Sequence, residues 1–283
     1  MTLLVFSLVL ITAVFHAAWN FAAKRAAGNF YAVYIGLAAV SVVFSPILLV
    51  LSPTELFRIK AVPYIIASGV IHAIYFSLLG KAYKHGDIST SYPIARGSGV
   101  AETALTAFFV LQEKISVTGA AGILAISTGT ILTGLCQPVH PKRMKGLVYA
   151  LLTGVSIMGY SIVDKLGVGT ISPVAYIYEL YFVAALCLTP IALFNKTNRG
   201  ELVDAWKNYR NHGFIIGIGS LLTYLIILFV FRLAPVSYVV ALRELAVAVG
   251  AIFGIKFLGE KCPPLKIAGI VLIVAGIIVI KLA

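Results

Sequence analysis

Apolar runs of about bilayer length recur along the whole chain, and they constrain its fold more than any other feature. Crossing a hydrocarbon core of ~30 Å takes about 20 mostly apolar residues in a helix. In lipid the backbone has to satisfy its own N–H and C=O groups, so runs of this length read as helices. Ten candidate spans fall at 3–23, 30–51, 63–83, 88–111, 116–135, 146–164, 171–193, 213–233, 236–258 and 263–282. Composition agrees: 60% of the 283 residues are hydrophobic and 11% charged, against about 25% charged in soluble domains, and the mean hydropathy is +1.02. The expected fold class is an all-α integral membrane protein of ten transmembrane helices. Connections such as Gln112–Lys114 and Ala234–Val236 are very short, which leaves almost no soluble domain. The longest, "NKTNRGELVDAWKNYRNHG", is polar and reads as a surface connection. No Lys or Arg precedes the first run, so it lacks the basic region of a cleaved signal peptide and reads as a retained helix.

The formal charge of +12 raises nucleic acid as a partner, but 19 of the 22 Lys and Arg lie at span ends or in short connections. There they meet lipid headgroups or fix topology, so the expected partner is the bilayer and not nucleic acid. Cys136, Cys187 and Cys262 are odd in number and scattered, and form neither a metal-ligand pattern nor a disulfide framework. No cofactor and no metal is expected.

A register of 147 residues runs through the chain. It pairs Arg96 with Arg243, Leu111 with Leu258, Glu113 with Glu260, Lys114 with Lys261, Gly122 with Gly269 and Gly129 with Gly276. "WNFAAK" (19–24) matches "YSIVDK" (160–165) more loosely. The chain therefore divides into two five-helix repeats, 1–136 and 145–283. Five crossings return the chain on the opposite side, so the second copy is expected upside down. Inverted repeats of this kind are characteristic of transporters that work by alternating access.

Ionisable groups inside a span cost at least ~2.5 kcal/mol on insertion scales and normally face a cavity or a partner. The spans contain Arg96 and Glu102 in the fourth, Glu179 in the seventh, and Arg243 and Glu244 in the ninth, with His16 and His72 in the first and third. Arg96 and Arg243 hold equivalent places in the two copies, so they are expected to face each other near the midplane. Two guanidiniums there need carboxylates or an anionic ligand, and their fork geometry favours bidentate partners. In one reading they bind a carboxylate, phosphate or phosphonate of a substrate, while Glu102 and Glu244 hold an amine, carry a coupling proton or neutralise the arginines. In another they pair with Glu102, Glu244 or Glu179 purely for structure, and in a third they bond backbone carbonyls at helix breaks. At ~100° per residue Glu102 lies about 240° round the helix from Arg96, so its partner belongs to another helix.

Pro93 is expected to kink the fourth helix, or to mark a late start, just before Arg96. Tyr92 shares a face with Arg96. His16, Trp19 and Asn20 follow i, i+3, i+4 spacing on the first helix. They either line a cavity, with Trp19 stacking on a ligand, or make interhelical contacts. His72 and Tyr75 on the third helix and Tyr160 on the sixth repeat the pattern more weakly. The glycines of the fifth and tenth spans suit close helix packing.

Ten spans as five plus five, "HAAWNFAAKR", "SYPIARG", and a Glu-Lys after the fourth and ninth spans ahead of "GAAGI" and "AGI" resemble the drug/metabolite transporter superfamily, specifically its EamA-like branch. The resemblance implies a central cavity lined by helices one, three, four, six, eight and nine. It also implies a cargo among amino acids, nucleotide sugars, sugar phosphates and other metabolites. "HAAWN" and "YPIARG" also look like permeases linked to phosphonate use.

The function expected is a secondary transporter in a bacterial inner membrane. Its cargo would be a small polar metabolite (amino-acid-like, zwitterionic or anionic), with protons or a counter-solute as coupling partner and a homodimer as the candidate assembly. Alternatives are an exporter of cationic drugs, a passive channel, or an intramembrane enzyme. The last lacks any HExxH, GxSxG or clustered His/Asp/Cys signature. Sidedness signals disagree. Thirteen Lys and Arg lie on the side of the odd-numbered connections and six on the side of the termini, with Arg96, Arg243 and Lys256 embedded. That bias places the termini outside, whereas the resemblance implies cytoplasmic termini.

Overall fold

The computed structural model describes residues 2–25, 29–51, 55, 58–86, 88–135, 144–258 and 262–283. Cys136, Lys142, Arg143, Glu260 and Lys261 lie outside the described residues, as do the side chains of Lys24, Arg25 and Leu258. Among the described residues the chain forms eleven helices. They are α1 (Leu3–Arg25), α2 (Phe30–Leu51), α3 (Val62–His85), α4 (Ile88–Val110), α5 (Val117–Gly134), α6 (Met144–Gly167), α7 (Pro173–Leu193), α8 (Lys196–Leu233), α9 (Val236–Leu242), α10 (Leu245–Leu258) and α11 (Pro264–Leu282). Among the described residues, eight spans are long and apolar enough to cross a bilayer, with α9 and the first part of α10 counting as one. The long α4 is too polar to qualify, because Arg96, Glu102 and several Ser and Thr dilute it. The protein is an all-α, multi-pass membrane protein.

Local signals explain the helix starts. The Ser116 hydroxyl accepts the Gly119 N–H at 3.0 Å ahead of α5, and Ser172 does the same for Ala175 ahead of α7, supplying acceptors for otherwise orphaned donors. Pro63, Pro173 and Pro264 occupy first-turn positions, where a missing N–H costs nothing.

Three expectations need correction. The polar stretch 195–213 is not a loop: it is the first half of α8, a helix of 38 residues and therefore about 57 Å long. Asn195 caps it by accepting the Asn198 N–H at 2.8 Å. Asn198 and Arg199 turn back to donate to the Ile191 and Leu193 carbonyls at the end of α7, at 2.7 and 3.0 Å. Residues 196–212 thus extend the helix beyond the thickness of a hydrocarbon core. Second, α4 does not start late at Pro93 but runs continuously through it. It begins at Ile88, and the proline sits within its second turn, where only one early ladder bond, to Ser89, is lost. Third, the interruption lies in the ninth span, between Leu242 and Leu245. There the Glu244, Ala246 and Val247 N–H groups bond three residues back, to Ala241, Arg243 and Glu244, at 3.0, 3.0 and 2.9 Å. The ladder tightens locally to the 3₁₀ pattern.

Helix contacts recur in matched sets. α3 packs on α6 and α8 on α1; α2 packs on α8 and α7 on α3; α4 packs on α6 and α10 on α1. The closest partnership is α5 with α11. A Cβ on Gly129 would meet the Gly269 carbonyl at 2.6 Å, and one on Gly269 would meet the Gly129 carbonyl at 2.6 Å. Gly122 and Gly276 face each other in the same way. Residue number rises along α5 as it falls along α11, so the two helices run antiparallel and touch backbone to backbone.

On the face that carries the α4–α5, α6–α7 and α8–α9 connections, charged side chains tie helix ends together. Gln112 adopts a left-handed conformation (φ 54°), which turns Glu113 toward α9. The Glu113 carboxylate accepts the Val236 N–H at 2.6 Å, the Ser237 N–H at 3.2 Å and the Ser237 hydroxyl at 2.7 Å. It caps the helix and complements its positive end. Lys165 donates to the Phe231 and Ala234 carbonyls at the end of α8. Arg232 donates to the Val168 and Ile171 carbonyls, each at 2.6 Å. Lys165 and Arg232, counted above as orientation charges, are therefore engaged in capping. Lys256, counted as embedded, is exposed in the last turn of α10.

Two stability outcomes follow. Gly129→Leu forces α5 off the α11 backbone, and overpacking of this kind costs ~1–3 kcal/mol. The purified variant should therefore melt several degrees lower, while Gly200→Leu, where nothing lies within 4 Å, should not. Glu113→Ala removes an N-cap and should cost about 1 kcal/mol, visible as a lower melting temperature that Glu113→Asp partly restores.

Candidate functional site

Arg96 and Glu244 join the two halves of the chain in a buried ion pair. Nη2 lies 2.5 Å from Oε1, and Nε donates to Oε2 at 3.3 Å, so both carboxylate oxygens face the guanidinium fork. The side chains are 2% and 1% exposed. α4 delivers Arg96 from an unbroken helix, whereas Glu244 comes from the tightened turn between α9 and α10.

Arg243, the adjacent residue of that turn, is also buried. Its guanidinium lies over the Tyr224 ring, 5.4 Å from the centroid, a cation–π geometry. Among the described residues it has no ion-pair partner, and its Nη1 has no hydrogen-bond acceptor. The two arginines are thus unequal: one is neutralised by a carboxylate, and the other lies over an aromatic face with no ion-pair partner among the described residues.

Aromatic side chains surround them. His72 on α3 stacks on Tyr160 of α6 with centroids 4.3 Å apart. Tyr75 meets Tyr160 edge-on at 5.7 Å, and Tyr224 meets it at 6.0 Å. Tyr75 and Tyr160 lie within electrostatic reach of Arg96. On α1, His16 stands edge-on to Trp19 at 4.6 Å, and its Nε2 is 3.4 Å from the Tyr92 hydroxyl. His16 also feels both arginines. The Trp19 indole N–H donates to Thr223 of α8 at 3.3 Å, its Cβ seated against Gly219. Asn20 donates to the His16 carbonyl at 2.8 Å, within its own helix.

The structure therefore gathers Tyr92, Arg96, His16, His72, Tyr75, Tyr160, Arg243 and Glu244 into one region between α1, α3, α4, α6, α8 and the α9–α10 turn. Trp19 reaches its edge through α8, and Asn20 serves α1 itself. Glu102 and Glu179 lie outside the Arg96–Glu244 pair. Glu102 is half-buried on α4, and its Oε2 has no hydrogen-bond partner among the described residues. Glu179 is buried on α7.

Sequence reasoning passed over Asp164, which is fully buried on α6. Tyr176 of α7 donates to its Oδ1 at 2.8 Å, and Tyr224 of α8 donates to its Oδ2. It fell on the last residue of the expected sixth span, beside Lys165, where a charge reads as a helix end. α6 runs on to Gly167, which places Asp164 inside.

Residues 144–282 match the model of the EamA-like transporter family. The second half of the chain is thus an EamA-like domain, which supports a place in the drug/metabolite transporter superfamily. This EamA-like chain is also similar, at 26% identity over 226 residues, to the protein of Bacillus subtilis (strain 168) named as the uncharacterized transporter YwfM. That alignment covers 78% of this chain and 74% of the relative. A solved crystal structure of a protein with 17% sequence identity superposes over 99% of this chain and 96% of its own, with a TM-score of 0.69, which shows a shared fold. The EamA-like chain is a membrane transporter of this type.

Breaking the ion pair isolates its contribution. Glu244→Ala leaves a guanidinium buried without its carboxylate, a loss of ~3–5 kcal/mol. The double variant Arg96→Met/Glu244→Met should recover most of it. Melting temperatures of the two single variants and the double in one detergent give the coupling directly; strict additivity would mean the pair contributes nothing.

Proposed function

We propose that this chain is a secondary transporter in a bacterial inner membrane, which moves a small zwitterionic or anionic metabolite by alternating access, with Arg243 as its anion anchor. The observation that carries the reading is the inequality of the two buried arginines. A guanidinium stays charged, and an unpaired charge in a dry site is costly. Arg243, lacking a carboxylate among the described residues, is completed by one from a ligand. The aromatic side chains of Tyr75, Tyr160 and Tyr224 offer faces for the rest of a small solute.

Alternating access is supported by two features. The 147-residue register equates α5 with α11, and these helices cross antiparallel at matched glycines. Contacts made by one set of helices are repeated by the set that the register equates with it. Both fit two inverted repeats, 1–136 and 145–283, with ten spans, the ninth discontinuous at the arginine. A discontinuous span at the binding site is a recurring transporter device.

The test is a thermal-shift screen of purified protein against amino acids, phosphonates, sugar phosphates and cationic drugs, run in parallel on Arg243→Ala and Arg96→Ala. A ligand at a hundred times its Kd stabilises by ~2.7 kcal/mol. An anionic or zwitterionic solute should raise the melting temperature, and Arg243→Ala should abolish the rise. Stabilisation by cationic drugs alone would overturn the reading in favour of a drug exporter.

A further inference from the structure

Asp164 stands apart from the arginine pair and is unused by it. Its carboxylate is fully buried, and among the described residues no basic side chain lies within ion-pair distance of it. Hydroxyl groups from three other helices converge on it instead: Tyr176 of α7, Tyr224 of α8, and Ser68 of α3. The Ser68 hydroxyl lies 3.2 Å from Nδ1 of His72. The same Nδ1 is 2.9 Å from the Ser68 carbonyl. A carbonyl only accepts, so Nδ1 carries the hydrogen and Nε2 is left bare. From His72 the aromatic stack continues through Tyr160 to the arginine region.

We propose that Asp164 is where the chain takes up and releases a coupling proton, with Ser68 and His72 forming its route toward the central site. This rests on the transporter reading above. An intramembrane carboxylate held by neutral donors alone is unlike a structural ion pair and fits a proton relay. The geometry also says what protonation does. The ionised carboxylate accepts from Tyr176 and Tyr224 at once, tying α7 and α8 to α6. A proton on either oxygen turns an acceptor into a donor, so one of the two tyrosines must release or turn. The proton thereby rearranges one of the two ties that hold α7 and α8 to α6. The adjacent Lys165 holds the end of α8, so a shift of α8 reaches the helix-end network on that face. The titratable and charged groups around the carboxylate are His72 on α3, Tyr160 on α6, Tyr176 and Tyr181 on α7, Tyr224 on α8, and Arg243 behind the Tyr224 ring.

The chain carries its own reporter. It has two tryptophans; Trp206 lies on the outer half of α8, and Trp19 donates to Thr223, next to Tyr224. Fluorescence of the full-length Trp206→Phe variant in lipid is titrated across pH, alongside infrared spectra of the carboxylic-acid C=O band. The expected result is one titration seen by both methods, lost together in Trp206→Phe/Asp164→Asn and displaced to a different midpoint by Tyr224→Phe, which leaves the carboxyl in place. An infrared band that does not change with pH, or one that persists in Asp164→Asn, would reduce Asp164 to a structural tie. If Asp164→Asn is not monodisperse, the Tyr224→Phe displacement decides: a moved midpoint supports the assignment and an unmoved one overturns it. No substrate enters the experiment, so its failure is separate from failure of the Arg243 reading.

Discussion

A guanidinium that cannot lose its proton, placed on a helix between other helices, is costly unless something of opposite charge meets it. In this chain that requirement falls on Arg96, and Glu244 meets it from the far half of the sequence. The pair ties α4 to the α9–α10 turn, and the arrangement of the central region follows from it. The backbone at 243–244 leaves regular α-helix where the carboxylate faces Arg96. The cost of the tightened turn is borne where both Arg243 and Glu244 are buried and used. Glu113 adds a fixed point at the other end of the same short helix, holding the first turn of α9 to the α4–α5 connection.

The fold was legible where physical rules act locally. Backbone satisfaction in lipid dictates helices, so nearly every apolar run appears as one, with ends shifted by a few residues. Composition failed at 195–213. The stretch is polar, which excludes the membrane core but not helix, and Asn195 starts the helix as Asn does in any soluble protein. Pro93 does not delay the start of α4, since a proline in an early turn sacrifices little. The true break, at Arg243–Glu244, has no proline or glycine to announce it. It arises from tertiary demands on two charged side chains, and no local pattern encodes those.

The site was half legible. Ionisable residues in apolar surroundings identify themselves by cost, which singled out Arg96, Arg243 and Glu244, and the fold brings these three close together. Which arginine takes which partner depends on helix rotation, and that is not visible in spacing. Asp164 was hidden by a boundary error of three residues, because the same residue is unremarkable at a helix end and costly one turn inside. Tyr176 and Tyr224 carried no signal at all. A phenol in a membrane helix is ordinary until a carboxylate lies beside it.

The 147-residue register does not extend to every charge, and the reason is packing. The register that equates Arg96 with Arg243 equates Glu244 with Gly97. A Cβ at 97 would lie 2.6 Å from Ile131 and 2.9 Å from the Ser127 carbonyl, and the Ser127 hydroxyl donates to the Gly97 carbonyl at 2.7 Å. α4 is pressed against α5 there, so no side chain fits, let alone a carboxylate. In the second copy α10 lies less closely on α11, and the turn swings residue 244 inward. Close packing in one half therefore forbids the counter-ion that loose packing in the other half allows. One arginine is thereby paired directly with a carboxylate, and the other faces an aromatic ring.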